Sequence, residues 1–426
     1  MRPLGRLAPV KRLLVSAALL AVAAGCGEDL NSGGACPALC PEQSLPVQEA
    51  ILDLVDLDTT VGPFPIRGTE LGLLLASRGD TLDVRAVARF DSLPNTYLKD
   101  GDTLSITAVD SSRVFIRLDT SVVNFEGTAT IEVYDVDTTA SDTSVAALSA
   151  LYRPDRLLGS AAITAEYFLL DDTLSIAIPN DSLLDKIQSD KPLRLGFRFV
   201  GTGDITLHSV ETGLPVLVRF DPAPGDTAVA SRIVGVLSTT PATDLLVAND
   251  LRDYSIVVTG EPPPTERLSV GGLPAYRSYL RFNIPAFYLD SVVIVRAQLL
   301  LTQRPLSMID EDTLATIYPV VASANATVTD LQRASQLVYP PFSFAINPLV
   351  RAPSDSGERR IDMVQLFRQW AIDFKATNRP VTAIVLRGGN EGRATGRVAF
   401  FGLDAPASVR PKLRIAYVAR SRFGIP

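Results

Sequence analysis

The sequence predicts an all-β chain, built as two tandem antiparallel β-sandwich modules of jelly-roll type with few short helices. Three observations carry this. First, short stretches alternate apolar and polar residues, as in Arg113-Val114-Phe115-Ile116-Arg117-Leu118-Asp119, Thr130-Ile131-Glu132-Val133-Tyr134 and Leu193-Arg194-Leu195-Gly196-Phe197-Arg198-Phe199. Successive strand side chains face opposite ways, so each stretch offers one face for burial. Ile116, Leu118, Leu280 and Phe282 are expected to point inward. Second, one turn device recurs in Gly79-Asp80-Thr81-Leu82, Gly101-Asp102-Thr103-Leu104, Asp171-Asp172-Thr173-Leu174 and Glu311-Asp312-Thr313-Leu314. Gly or Asp turns the chain, and the Asp side chain bonds nearby backbone N–H groups before a strand begins. Third, four segments recur in order, which points to duplication.

Residues 1–25 form the first element. Arg2, Arg6, Lys11 and Arg12 precede an apolar run that ends Ala23-Ala24-Gly25-Cys26. The run is too short to span a bilayer, which takes ~20 residues, and it has the layout of a secretory signal. A cysteine directly after the small residues resembles the lipobox of bacterial lipoproteins. That resemblance implies cleavage before Cys26, lipidation of Cys26 and, with Gly27 rather than Asp next, anchorage in the outer membrane, on its periplasmic face or the cell surface. A plain secretory signal with an incidental cysteine is the alternative. Residues 26–45 read as a polar tether. Within it, Cys36 and Cys40 are expected to form a small disulfide in an oxidising compartment. There is no second Cys pair or His cluster, so no metal or other cofactor is expected.

The first module is expected over residues 46–221, a Pro/Gly-rich linker over 222–230, with the boundary near Asp221-Pro222-Ala223-Pro224-Gly225-Asp226, and the second module over 231–420. The recurring segments pair Phe115-Ile116-Arg117-Leu118-Asp119 with Tyr279-Leu280-Arg281-Phe282-Asn283, and Ala129-Thr130-Ile131-Glu132-Val133 with Ala297-Gln298-Leu299-Leu300-Leu301. They further pair Lys191-Pro192-Leu193 with Arg379-Pro380-Val381, and Pro215-Val216-Leu217 with Pro411-Lys412-Leu413. Chance likeness among β-strands is the alternative. A helix is predicted over 361–376, where Met363, Phe367, Trp370 and Phe374 form one apolar stripe. A shorter helical turn is predicted over 181–188. Trp370, the only tryptophan, is read as a core anchor rather than a sugar-stacking platform.

Charge bounds the partners. The formal net charge is −7, or −11 without residues 1–25, which argues against nucleic acid. Residues 351–426 hold 14 Lys/Arg and 6 Asp/Glu, whereas residues 26–350 carry −19. The basic end is either a set of solvated strand faces or a contact for an anionic glycan, lipid headgroup or partner protein.

No catalytic motif is found. His208 is the only histidine and sits in a strand-like stretch, without a nucleophile elbow or a zinc motif near it. Gly388-Gly389-Asn390-Glu391-Gly392 lacks a phosphate-loop ending and reads as a hairpin. Asp100-Gly101-Asp102 lacks full calcium-loop spacing and reads as a turn. Paired carboxylates for glycoside hydrolysis remain open, because Asp and Glu are numerous.

The second module resembles the DNRLRE family of carbohydrate-binding-module-like sandwiches. The matching stretches are Tyr279-Leu280-Arg281-Phe282-Asn283-Ile284-Pro285, Val295-Arg296-Ala297-Gln298-Leu299-Leu300-Leu301, Ile361-Asp362-Met363 with the later Trp370, and Arg410-Pro411-Lys412-Leu413-Arg414-Ile415-Ala416-Tyr417. The resemblance covers roughly residues 231–420 and implies polysaccharide binding or a spacer role. It transfers no ligand residues. A lipoprotein family of unknown function with similar strand motifs matches equally in places. The expectation is a non-catalytic envelope lipoprotein acting in glycan contact, adhesion or structure, anchored to the membrane by lipid and touching a polysaccharide or an envelope protein. The alternatives are a polysaccharide hydrolase or lyase with an accessory sandwich, and a subunit of an outer-membrane complex.

Overall fold

A computed structural model describes residues 47–420 apart from 140–143, 168–170, 237–250, 266–267, 309–313, 323–345 and 390. Cys26, Cys36, Cys40 and the 311–313 turn therefore lie outside the described residues, as does Asn390.

The chain is all-β. Its first half runs β1 (Gln48–Leu52), β2 (Val55–Phe64), β3 (Gly72–Arg78), β4 (Leu82–Phe90), the small hairpin β5 (Thr96–Lys99) and β6 (Asp102–Ser105), β7 (Asp110–Phe125) and β8 (Thr128–Asp135). It continues with helix α1 (Val145–Ser149), β9 (Leu157–Thr164), β10 (Thr173–Ala177), helix α2 (Asn180–Gln188), β11 (Leu193–Val200), β12 (Gly203–His208) and β13 (Leu217–Asp221). The second half runs β14 (Arg232–Gly235), β15 (Asp253–Thr259), β16 (Leu268–Gly271), β17 (Ala275–Phe282), β18 (Val292–Arg304), β19 (Ala315–Ala322) and β20 (Leu349–Arg351). It ends with β21 (Gly357–Asp362), helix α3 (Val364–Thr377), β22 (Ala383–Gly388), β23 (Arg397–Phe400) and β24 (Lys412–Ala419).

Two eleven-stranded assemblies result, and their strand orders are the same. One reads β14-β13-β7-β12-β3-β4-β11-β8-β9, with β10 on β7 and β15 on β4. The other reads β1-β24-β18-β23-β16-β17-β22-β19-β20, with β21 on β18 and β2 on β17. Every named pairing is antiparallel, for example Gln48 opposite Tyr417 and Leu52 opposite Leu413. Each assembly folds over one core, so each is a sandwich. Leu73, Leu75, Phe197 and Ile205 from one layer meet Val114, Ile116, Val218 and Phe220 from the other in the first. Leu299, Leu301, Leu413 and Ile415 meet Leu280, Phe282, Ile384 and Leu386 in the second. Burying each such side chain stabilises the fold by roughly 1.5–3 kcal/mol. Ile116, Leu118, Leu280 and Phe282 are all buried, as their alternation predicts.

The sandwiches are not cut where composition places the boundary. β1 and β2, expected in the first module, pair with β24 and β17 of the second sandwich. β14 and β15, expected in the second module, pair with β13 and β4 of the first. The halves thus exchange their leading strand pairs. The duplication also aligns differently from the sequence matches. In the shared strand order β17 corresponds to β4, not to β7, and β18 corresponds to β7, not to β8. The counterpart of Arg281-Phe282-Asn283-Ile284-Pro285 is therefore Arg89-Phe90-Asp91-Ser92-Leu93-Pro94. The matches of β11 with β22 and of β13 with β24 agree with the topology.

Helix α3 starts three residues later than the stripe predicts, because Ile361 and Asp362 belong to β21, and Asp362 Oδ1 accepts from the Val364 backbone N–H at 2.9 Å. Trp370 is buried, with its ring 5.7 Å from Phe282 and 5.3 Å from Phe367. It anchors the second core. Helix α2 occupies the matching place in the first sandwich and buries Leu183 and Ile187. The turn readings hold at two sites. Asp100 and Gly101 both have positive φ at the tip of the β5–β6 hairpin, as a two-residue type I′ turn requires. Asp171 Oδ1 accepts from Thr173 N–H at 2.9 Å. Among the described residues no group of three or more His, Cys, Asp or Glu is placed to hold a metal.

Candidate functional site at the seam of the two sandwiches

Two short crossings lead from one sandwich toward the other, residues 65–71 from β2 to β3 and, after β15, the segment described over 260–265. A third segment, 389–396, connects β22 to β23. β22 pairs with β17 and β19, while β23 pairs with β16 and β18. The Gly388–Gly392 stretch is thus a link between layers and not the hairpin its glycines predict. This link reaches the other sandwich. Arg393 Nη1 lies 3.2 Å from Asp119 Oδ2 on β7, and its Nη2 donates to the Leu71 carbonyl. At Gly72 an added Cβ would sit 2.7 Å from Arg393 Nε, so glycine is what admits the guanidinium there. Gly392 has φ +78° and lies against Pro65 of the crossing, where a Cβ would come within 2.7 Å of Cδ.

A cleft of about 370 Å³ opens between this link, the 65–71 crossing and the end of β22. Its size falls within the range of small-ligand sites. Three arginines line it. Arg277 on β17 stacks on the Phe64 ring at 3.8 Å and forms a fork with Glu391, Nε to Oε1 at 2.8 Å and Nη2 to Oε2 at 2.6 Å. Arg393 is held as described. Arg387, one residue from the end of β22, is half-buried and has no carboxylate or other hydrogen-bond partner for its side chain among the described residues; its Nε is buried and unsatisfied. A guanidinium in a cleft with no partner among the described residues is a ready donor to a carboxylate, sulfate or phosphate oxygen, because it offers paired N–H groups in a fixed fork.

Two buried carboxyls lie near each other, Glu70 on the 65–71 crossing and Asp253 at the start of β15. Glu70 Oε2 accepts from the Gly68 N–H at 2.5 Å and its Oε1 from the Ser255 N–H of β15 at 3.4 Å. Burial pushes its pKa up to about 8, with the nearby Asp253 adding to the shift. Asp253 is pushed up to about 7, again chiefly by burial, although its Oδ2 accepts from the Val210 N–H at 2.8 Å. Glu70 is 5% exposed and Asp253 1%, so neither opens onto a substrate channel. His208 ends β12 and is half-buried.

The charge asymmetry finds an internal partner. Residues 47–64 contain Glu49, Asp53, Asp56 and Asp58 and no Lys or Arg. Arg410 meets Asp53 at 2.7 Å, Arg281 meets Asp56 at 3.0 Å, and Arg414 pairs with Glu49. Asp58 accepts from the Leu403 N–H at 2.7 Å. Part of the basic C-terminal charge thus faces the chain's own acidic strand pair, a partner that composition alone does not reveal.

No family pattern matches the chain, and no curated protein matches it. Among solved structures, one described as infectious bursal virus derived T=1 particles aligns over 87% of this chain and 76% of that one. It shares 13% identity at a TM-score of 0.11. A score that low carries no argument about fold or function.

Proposed function

We propose that this chain is a lipid-anchored envelope protein that works by binding, holding a carboxylate-bearing polysaccharide in the seam cleft. The observation that carries the reading is Arg387, whose guanidinium lines the cleft with no counter-charge among the described residues, while Arg277 and Arg393 beside it are already engaged. The basic start, short apolar run and Cys26 support the anchor, and the DNRLRE-like strands support a glycan as the class of ligand. Anchorage is tested by mass spectrometry of the mature protein. The expected N-terminus is an acylated Cys26, and any other N-terminus refutes the anchor.

Binding is tested by affinity electrophoresis through gels containing polygalacturonate, alginate or neutral dextran. Retardation is expected in the acidic gels only, and Arg387→Ala should weaken it about tenfold, with an unchanged circular-dichroism spectrum. Equal migration of wild type and variant in every gel rejects the cleft as the site. Equal retardation by dextran rejects the acidic class.

A further inference from the structure

In the first sandwich, β4 and β13 take as neighbours β15 and β14, the strands that follow β13 in the chain. The equivalent places in the second sandwich, beside β17 and β24, are taken by β2 and β1 from the opposite end of the chain. We propose that this place in the second sandwich is a strand-pair binding site that also accepts β1–β2 of a second copy of the chain, so that two copies join by exchanging their N-terminal strands.

The argument rests on topology and on the contacts of the pair. Everything that holds β1–β2 to its sandwich is non-covalent. The contacts are the ladders from Gln48 opposite Tyr417 to Leu52 opposite Leu413 and from Val55 opposite Phe282 to Phe64 opposite Ala275. Added to these are the Thr60–Ser278 hydroxyl contact at 3.0 Å and the ion pairs of Glu49, Asp53 and Asp56. A second copy brings the same groups in the same register. The order sandwich, strand pair, next sandwich already exists within the chain, where β14–β15 complete the first sandwich and the strands that follow, from β16 on, belong to the second. A second copy docked by its β1–β2 repeats that order, with its own 65–71 as the crossing. The exchange is mutual, so two copies fill both sites and leave no strand pair unpartnered. The acidic pair also matches the arginines at the site, so the site selects for it by charge as well as by backbone pairing.

The test uses the full mature chain with Cys26, Cys36 and Cys40 changed to Ser, which removes all three native cysteines. One preparation carries Gln48→Cys and another Tyr417→Cys, the two partners in the β1–β24 register. They are mixed at high concentration, warmed briefly, cooled and oxidised. A chain with both substitutions serves as the control for folding and reactivity, and should close within itself. The expected result is a disulfide-linked heterodimer at least fivefold above that from Gln48→Cys mixed with Leu98→Cys, an exposed position on the β5–β6 hairpin. The yield should rise with protein concentration. If the double variant closes internally while the mixture gives no more heterodimer than the Leu98→Cys control, the proposal is overturned.

Discussion

Glu70 shows what a single buried carboxyl does to this protein. Its pKa is raised from an ordinary value of 4.5 to about 8. Below pH ~4.5 both folded and unfolded chains hold the proton and the group costs nothing. Between about 4.5 and 8 the unfolded chain ionises while the folded chain keeps its proton, so stability falls across that window and levels off above it. Asp253, raised from 3.8 to about 7, acts in the same direction over a window that starts lower. Glu70→Gln keeps the acceptor for the Gly68 N–H and removes the titration. The variant should melt close to wild type at pH 4.5 and roughly 2–6 °C higher at pH 8, as followed by circular dichroism. A variant that melts lower at both pH values would show instead that the ionised carboxylate is what the seam requires.

At the scale of elements, helix α3 and its tryptophan are the clearest test of packing. Trp370 fills the space between the helix and Phe282, and truncation leaves a cavity that the rigid sheets close only in part. Trp370→Ala should cost about 3–5 kcal/mol, read as a lower midpoint in urea with an unchanged slope. Elements of this kind were legible in the sequence. The helical stripe, the turn at Asp100-Gly101 and the inward faces of β7 and β17 all follow from local periodicity and turn chemistry. Pairing was not legible to the same degree. Alternation tells which face of a strand is buried but not which strand lies beside it, so Phe115 pairs with Tyr279 by pattern although the topology puts the counterpart of Tyr279 on β4. Arg89-Phe90-Asp91 with Leu93-Pro94 repeats Arg281-Phe282-Asn283 with Ile284-Pro285, and that stronger signal was present in the sequence. The cleft was hidden for a related reason: Arg277, Arg387 and Arg393 meet only because a Gly-rich link leaves its own sandwich and reaches Asp119 of the other.

At the scale of the molecule, the exchanged strand pairs and the Arg393 contacts bind the sandwiches to each other. Leu273, from the turn between β16 and β17, packs with Leu74, Ala76, Leu82 and Val84 of the first sandwich, adding an apolar contact to the ionic ones. The first sandwich draws its strands from one stretch of sequence, 72–259, and that stretch is inserted into the second, which joins β1 and β2 to β16–β24. The two should therefore unfold together. Trp370 is the sole tryptophan and reports the second sandwich alone, whereas far-ultraviolet circular dichroism reports both. Thermal or urea transitions followed by the two signals should coincide. Separate midpoints would mean that each sandwich stands without the other.

The placement of β1 and β2 also sets the timetable of synthesis. A growing chain releases residues 48–64 early, yet their neighbours β17 and β24 emerge only with residues 275–282 and 412–419. Until then this stretch must wait with its backbone N–H and C=O groups unpaired, the condition in which strands stick to one another. Its four carboxylates and lack of any positive charge suit it to waiting, since like-charged ribbons repel, and the arginines that end the wait, Arg281, Arg410 and Arg414, are made long after it.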